Sequence, residues 1–208
     1  MSLIDSRVVS IDGLKLEHFA KGDKFEANSV RIGPLVGAKD LGYSYDVVPP
    51  GKCSCPFHSH RGEEEMFFIV RGEGTLRYGN ETKKIRAGDV ICCPTGGPET
   101  AHQIVNDSEG DLAYLSVSTM LPAEVCEYPD SRKIGAFGGG LRHMTRADQE
   151  LDYGTGEICT RWAWPGRPRC NLPRATFGPV VDGSRLSTIS GDKCKENSQG
   201  PASAPRLI

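Results

Sequence analysis

Two histidines and a run of glutamates stand close together in the first half of the chain. The stretch from Gly51 to Gly72 reads GKCSCPFHSHRGEEEMFFIVRG. His58 and His60 are two residues apart, and on a β-strand this spacing puts both imidazoles on one face, because successive side chains alternate between faces. Glu65 begins the apolar run that follows, so its carboxylate can reach the same face.

A further imidazole, His102, begins the segment HQIVN later in the chain. Three imidazoles and one carboxylate that converge inside a small barrel form a site for a divalent transition metal. Imidazole suits Zn, Cu, Fe and Ni, and a carboxylate extends this range to Mn. We therefore expect His58, His60, Glu65 and His102 to hold one such ion, whose identity stays open among these metals.

Such a site leaves coordination positions open for a substrate, alone or together with O₂ or water. Fe, Ni or Cu would support oxygenase chemistry there, whereas Zn or Mn would polarise a carbonyl for isomerisation, decarboxylation or lyase chemistry. An enzyme also needs an acid or base, and spacing selects none of the nominal candidates, which are Glu63, Glu64, Tyr43 and Tyr45. The alternative is a module that binds or senses a small ligand without turnover.

These acid and base candidates also have ordinary structural interpretations. Glu63 and Glu64 read as an acidic turn that is solvated or paired with Arg61. Tyr43 and Tyr45 share one face of a predicted strand, where core packing is the simpler role.

Short β-type runs separated by turn residues would position the site. Their spacing of about 8–12 residues, with turn signals between them, predicts an all-β barrel or sandwich. Gly79 and Asn80 predict a hairpin turn, and Cys92 and Cys93 must point to opposite faces of their strand. Residues 141–150 are predicted to form a short helix. The predicted strands cover residues 7–11, 14–19, 43–48, 65–70, 75–78, 83–86, 90–93, 102–106 and 112–118.

The order of these residues resembles the two sequence motifs of the cupin superfamily. The first motif is matched by Gly51, His58, His60, Glu65 and Gly72. The six residues between Glu65 and Gly72 select this glutamate over its two neighbours. The second motif is matched by Gly88, Pro94, Gly96, His102 and Asn106. Residues 97–101 separate Gly96 from His102 where the family pattern is shorter, so a longer loop is expected there.

The resemblance implies a cupin jelly roll, the double-stranded β-helix, of the small single-domain cupin 2 type. It places the barrel at residues 25–122, after N-terminal strands or an arm at 1–24. An extension at 123–159 would pack on the barrel and contain the short helix, before an irregular tail at 160–208. The resemblance further implies that the four candidate ligands hold the metal, and that the protein is a homodimer in which partner contacts close strand edges.

Length, charge and composition limit the remaining classes of function. The chain has 208 residues, a net charge of −2 and 38% hydrophobic residues, which argue against wholesale disorder and against a polyanion binder. Residues 1–150 carry 17 Lys and Arg against 22 Asp and Glu, whereas residues 151–208 carry 8 against 5 and hold six of the 14 prolines. We expect the basic, Pro/Gly/Ser-rich tail to take no part in the chemistry.

No apolar run is long enough to cross a bilayer, and the N-terminus lacks the pattern of a secretory signal. We therefore expect a cytoplasmic protein with reduced cysteines, whose partner is a small molecule rather than a nucleic acid or a membrane.

Overall fold

The structure is a computed structural model that describes residues 7–149 and 151–155. Most of this part of the chain forms short antiparallel strands joined by tight turns, with one helical turn, α1 (Gly33–Val36), between the second and third strands. The strands are β1 (Glu17–Lys21), β2 (Phe25–Arg31), β3 (Leu41–Val48), β4 (Ser59–His60), β5 (Glu65–Arg71), β6 (Glu73–Tyr78), β7 (Glu81–Arg86), β8 (Val90–Cys93), β9 (His102–Val105), β10 (Leu112–Thr119), β11 (Ala123–Tyr128), β12 (Lys133–Gly138) and β13 (Leu141–Arg146).

These strands form three antiparallel sheets. The largest has the order β1-β2-β3-β10-β5-β8, a second has the order β7-β6-β9, and a third has the order β13-β12-β11-β4. Neighbours such as β3 and β10 lie far apart in sequence, which is typical of a jelly roll and unlike a simple meander. The predicted all-β jelly-roll fold is confirmed.

The main apolar core is built by side chains of two sheets. Val48, Phe67, Ile69 and Leu112 come from the six-stranded sheet, and they cluster with side chains of the three-stranded sheet such as Ile104. Alternation along each strand explains this division: in β8, Ile91 and Cys93 are buried while Val90 and Cys92 are exposed. The two cysteines therefore point to opposite faces, as alternation predicts.

A second, smaller cluster packs on the other face of β3 and β10. Its buried members include Tyr45, Val47 and Ala113, and Ile32 joins them from the residue before α1. Tyr43 packs against this cluster as a partly buried side chain.

Most of the predicted strands are present, with ends shifted by a few residues. The hairpin turn at Gly79 and Asn80 is also present, because Tyr78 pairs with Glu81 across it. Residues 97–101 form the expected loop, which contains a 3₁₀ turn over Pro98–Thr100.

Two sequence-based predictions of secondary structure are wrong. Residues 7–11 do not form a strand, and a 3₁₀ turn covers Ile11–Gly13 instead. Residues 141–150 do not form a helix, since Leu141–Arg146 is strand β13. Gly139 and Gly140 have φ values of 54° and 84°, so the chain reverses there and lies beside β12. Pairing over the whole length of β12 then outweighs the local preference for a helix.

The segments expected to flank the barrel share its sheets. β1 pairs with β2, and β11 pairs with β4, so residues on both sides of 25–122 add strands to the described fold. The domain boundaries at 24, 122 and 159 stay predictions. After β13, residues 153–155 form a turn. The expected tail at 160–208 lies outside the described residues.

Candidate metal centre

The four candidate ligands meet in the interior of the barrel. His60 is on β4, Glu65 begins β5, and His102 begins β9. His58 is held beside His102 by two backbone hydrogen bonds, N–H of His58 to O of His102 at 3.1 Å and the reciprocal one at 2.7 Å. All four side chains are buried, and Glu65 is only 2% exposed.

One carboxylate oxygen is the meeting point of the three imidazoles. The Nε2 atoms of His102, His60 and His58 lie 2.8, 3.3 and 3.7 Å from Oε2 of Glu65. The ligand atoms of His58, His60 and Glu65 all lie within 4.8 Å of one another. The structure therefore brings together the four residues that the sequence singled out.

Backbone carbonyls orient two of the three imidazoles. Nδ1 of His58 donates to O of Pro56 at 2.8 Å, and Nδ1 of His102 donates to O of Thr100 at 3.2 Å. A hydrogen on Nδ1 leaves Nε2 with its lone pair free for a cation, which is how proteins usually fix a metal-binding histidine.

The chemistry of these donors fits a transition metal. Nε2 of His60 is buried without a hydrogen-bond partner, although the carboxylate lies nearby. An orphaned nitrogen in a buried site is costly in a folded protein unless a ligand completes it. Three imidazoles and one carboxylate suit Zn, Cu, Fe, Ni and Mn.

Burial and mutual contact shift the pKa values of the ligands in different directions. Burial lowers the pKa of His58 to about 4, so this imidazole is neutral at pH 7. Burial opposes ionisation of Glu65, but its contacts with His102 and His60 outweigh that effect and hold its pKa well below the usual range. The carboxylate is therefore ionised and available as an anionic ligand.

The nominal acid and base candidates lie away from this cluster. Tyr45 is buried in the second core cluster, and Tyr43 packs against that cluster, on the face of β3 opposite the main core. Glu64 is exposed, and its carboxylate accepts a weak hydrogen bond from the thiol of Cys92 at 3.5 Å. Alternation explains these positions, because odd-numbered residues of β3 and even-numbered residues at the start of β5 face away from the main core.

Glu63 has a role that the sequence did not indicate. It is buried rather than solvated, and its Oε1 accepts the backbone N–H of Leu121 at 2.8 Å. Arg61 forms its ion pair with Glu127 instead.

Asp46 is a buried carboxylate that the sequence did not single out. Asp46 accepts hydrogen bonds from the hydroxyls of Ser29, Ser44 and Ser116 at 2.5, 2.9 and 3.3 Å. Burial raises the pKa of Asp46 in spite of these hydroxyls, and the negative charge of Glu65 raises it further. The sequence contained one sign of this role. Asp46 follows Tyr45 in a strand and therefore faces the opposite side, and an acidic side chain that faces a core is rare without a function or a full set of partners.

Strand β11 also brings side chains to the site from outside the two sequence motifs. Tyr128 stacks on His58 with ring centroids 6.0 Å apart. Cys126 places Sγ 3.4 Å from Nδ1 of His60, and Oε1 of Glu124 lies 3.6 Å from the same nitrogen. The sequence gives no sign that these residues lie near His60, because the pairing of β11 with β4 brings them together.

The remaining motif residues support the barrel. Asn106 is fully buried; its side-chain amide donates to O of Val48 and O of Gly110, and its oxygen accepts from Ser108. Gly72 has a φ of 84°, and a Cβ there would lie 2.3 Å from O of Asp111. These residues connect the strands that carry the ligands.

A buried three-histidine, one-glutamate cluster inside an antiparallel jelly roll defines a class of barrel protein with a candidate metal site. Residues 44–118 match the family model described as Cupin domain. Residues 44–118 therefore form a cupin domain, and the jelly-roll fold continues in the strands on either side of this match.

A curated relative shares part of the sequence. An oxalate-binding protein from Thermotoga maritima is 39% identical over 74 residues, which are 36% of this chain and 58% of that protein. The chain thus spans little more than half the length of this relative.

Two solved structures share the fold more widely. A putative sugar phosphate isomerase from Acidithiobacillus ferrooxidans is 25% identical with a TM-score of 0.65, over 72% of this chain and 97% of that one. A sugar phosphate isomerase of the cupin superfamily from Silicibacter pomeroyi is 22% identical with a TM-score of 0.61, over 70% and 97% of the two chains. At this lower identity the second likeness shows the fold alone.

No helix among the described residues is long and apolar enough to span a membrane.

Proposed function

We propose that this protein binds one divalent transition-metal ion through His58, His60, Glu65 and His102, and that it is a small-molecule enzyme. The approach of three Nε2 atoms to one oxygen of Glu65 carries the proposal. Four protein ligands leave an octahedral ion with open positions, which a bidentate substrate would fill.

The ion would supply Lewis acidity, or a place for O₂ if it is redox-active. The protein's own groups would fix its position. The carbonyls of Pro56 and Thr100 hold two imidazoles by their Nδ1–H groups, and the rings of Phe67 and Tyr128 contact His102 and His58 and keep water from that side. An imidazole that coordinates a metal is uncharged, so three of them with one carboxylate would leave a divalent ion with a net positive charge, which favours a substrate with anionic or carbonyl oxygens.

Asp46 is the best-placed acid or base outside the ligand set. It is on the face of β3 that contributes Val48 to the main core, and its charge interacts with that of Glu65. A carboxyl group with a raised pKa keeps a proton closer to neutral pH than an exposed one, which suits general acid–base catalysis. Glu64 is exposed, and Tyr43 and Tyr45 lie on the opposite face of β3, so these three residues lack this placement.

Two classes of reaction suit the site. Isomerisation or lyase chemistry at a carbonyl would follow with Zn or Mn, and oxygenase chemistry with Fe, Ni or Cu. The likeness to the putative sugar phosphate isomerase supports the first class. The alternative is a binding protein without turnover, and the similarity to the oxalate-binding protein favours a small dicarboxylate as its ligand.

Metal content after purification without added metal tests the ligand set. Replacing His58 and His60 by Ala should abolish uptake of Mn²⁺, Zn²⁺ or Co²⁺, because two of the four donors are lost. The matched control replaces His18 and His143, two exposed histidines on β1 and β13, and should bind as the wild type does. Equal metal content in the two double variants would contradict the ligand assignment.

Activity assays on the metal-loaded protein separate the enzyme from the binding module. Aldose and ketose phosphates test isomerisation, and O₂ uptake with catechols, thiols and diketones tests oxygenase chemistry. Turnover that disappears in the His58 and His60 double variant supports the enzyme. Thermal stabilisation by oxalate, with no turnover of any of these substrates, would favour the binding module instead.

A further inference from the structure

Glu124 holds the loop that connects two candidate ligands. It lies on β11, beyond the residues that match the family model, and its side chain is only 3% exposed. Its Oε1 accepts the backbone N–H of Arg61 at 3.0 Å, and its Oε2 accepts that of Glu63 at 2.8 Å. The N–H of Gly62 between them is 3.3 Å from one oxygen and 3.1 Å from the other.

The held segment is the direct link between His60 and Glu65. Three consecutive amides converge on a single carboxylate, and hydrogen bonds to an ionised acceptor are stronger than neutral ones. A loop fixed in this way cannot shift without breaking several of them together. The separation of the imidazole of His60 from the carboxylate of Glu65 therefore depends on Glu124.

The same side chain approaches His60 itself. Its Oε1 lies 3.6 Å from Nδ1 of that imidazole, and Sγ of Cys126, two residues further along β11, lies 3.4 Å from the same nitrogen. His58 and His102 have backbone carbonyls at this position, so His60 is the one of the three imidazoles whose Nδ1 faces side chains of β11.

Further contacts join the loop to β10 and β11. N–H of Arg61 donates to O of Val125 at 2.9 Å, and Thr119 exchanges hydrogen bonds with the backbone of Glu64. These contacts would keep the chain folded without Glu124, but they do not reach the amides of Gly62 and Glu63.

We propose that Glu124 is a positioning residue of the metal centre, which sets the geometry of His60 and Glu65 by binding the three amides of the loop between them. This inference rests on the proposed metal site and adds a residue that neither cupin motif contains. A second ion shared by His60, Glu124 and Cys126 is the competing role. The four amide contacts occupy the acceptor sites of the carboxylate, which argues against it.

Glu124→Gln tests the proposal with little change in shape. The amide nitrogen of Gln faces backbone donors and cannot accept from them, so part of the clamp is lost. We expect the affinity for Co²⁺, measured by competition with a chelator, to fall by about 10–100-fold, as for other groups that orient metal ligands. The visible absorption of the bound Co²⁺ should also change, because the ligand geometry changes.

Glu127→Gln is the matched control. Glu127 is on the same strand and also contacts Arg61, but it pairs with the guanidinium and not with the loop amides. Its removal should leave the Co²⁺ affinity and spectrum as in the wild type. If Glu124→Gln lowers only the melting temperature, with the affinity and spectrum unchanged, the role is merely structural and the proposal is wrong.

Further results distinguish this proposal from its alternatives. If Glu124→Gln does not fold, amide hydrogen exchange of the wild type replaces it, and unprotected amides at residues 61–63 would overturn the proposal. Two Co²⁺ ions per chain, with a thiolate-to-cobalt absorption band lost in Cys126→Ala, would establish the second ion instead. A wild type that binds no ion refutes the proposed function as well, whereas a binding wild type with an unaffected Glu124→Gln variant refutes this inference alone.

Discussion

At the scale of single residues, the barrel contains two buried acids, Glu65 and Asp46, whose pKa values are shifted in opposite directions. Glu65 faces three imidazoles, and their contacts keep its pKa low. Asp46 faces only hydroxyls, and burial raises its pKa. The physical difference is the partner: hydrogen bonds with His102 and His60 outweigh burial at Glu65, whereas the three hydroxyls do not outweigh burial at Asp46. The first acid suits metal binding and the second suits proton transfer.

The raised pKa of Asp46 predicts a pH-dependent contribution to stability. A carboxyl group whose pKa is higher in the folded state stabilises the fold fully below its unfolded pKa, and loses that contribution as pH rises through the folded value. Asp46→Asn removes this loss. We therefore expect the variant to gain stability relative to the wild type as pH rises above about 4, the ordinary range of an aspartate.

Denaturant unfolding of both proteins at a series of pH values between 4 and 7 measures this difference. Asp148→Asn, which removes an exposed carboxylate, controls for the loss of one charge. A difference between Asp46→Asn and wild type that does not vary with pH would show that Asp46 has no raised pKa.

At the scale of elements, the glycines of the two motifs act at the junctions between strands. Gly72 joins β5 to β6 with a φ of 84°, and Gly88 stands between β7 and β8 with a φ of 93°. A Cβ at Gly72 would lie 2.3 Å from O of Asp111 and 3.0 Å from Cα of Leu112, whereas a Cβ at Gly88 meets nothing within 4 Å. The two positions share the same conformational requirement and differ in the space around them.

We therefore expect a change from Gly to Ala to reduce stability by different amounts at Gly88 and Gly72. Gly88→Ala should lower the free energy of unfolding by about 1 kcal/mol, the cost of a left-handed conformation for a residue with a side chain. Gly72→Ala should cost clearly more, because the backbone of β10 must also move. Chemical denaturation of both variants gives the comparison, and equal losses would mean that the close approach at Gly72 is relieved without cost.

At the scale of the whole molecule, the barrel and the strands that follow it share one site. The family model ends at residue 118, but β11 pairs with β4, the strand that carries His60. The solved structures with the same fold cover 70–72% of this chain, which is more than the matched segment. The expected homodimer stays a prediction, and sedimentation analysis of the full chain tests it.

Shortened chains measure how much of the molecule the site needs. A chain that ends after Thr155 keeps all described strands, and we expect it to bind one metal ion as the full chain does. A chain that ends after Met120 lacks β11 and its side chains at His60, so its metal affinity should fall sharply. Equal affinity in the two shortened chains would show that β11 contributes nothing to the site.

The sequence by itself indicated the four candidate ligands, the all-β class and most strand positions. Motif spacing and alternation are local properties, so His58, His60, Glu65, His102 and the paired faces of β3 and β8 can be inferred from neighbouring residues. The predicted helix at 141–150 failed because pairing with β12 decided that segment, and local pattern contains no information about a partner strand.

Only the tertiary structure decided which other side chains meet the ligands. Glu124 and Cys126 reach His60 through the pairing of β11 with β4, across more than sixty residues of sequence. Asp46 acquires its raised pKa from burial, in spite of hydroxyls from three strands, and Tyr43 and Tyr45 lie on the face of β3 that is directed away from the main core. Long-range contacts depend on how sheets close on one another, which no local spacing encodes.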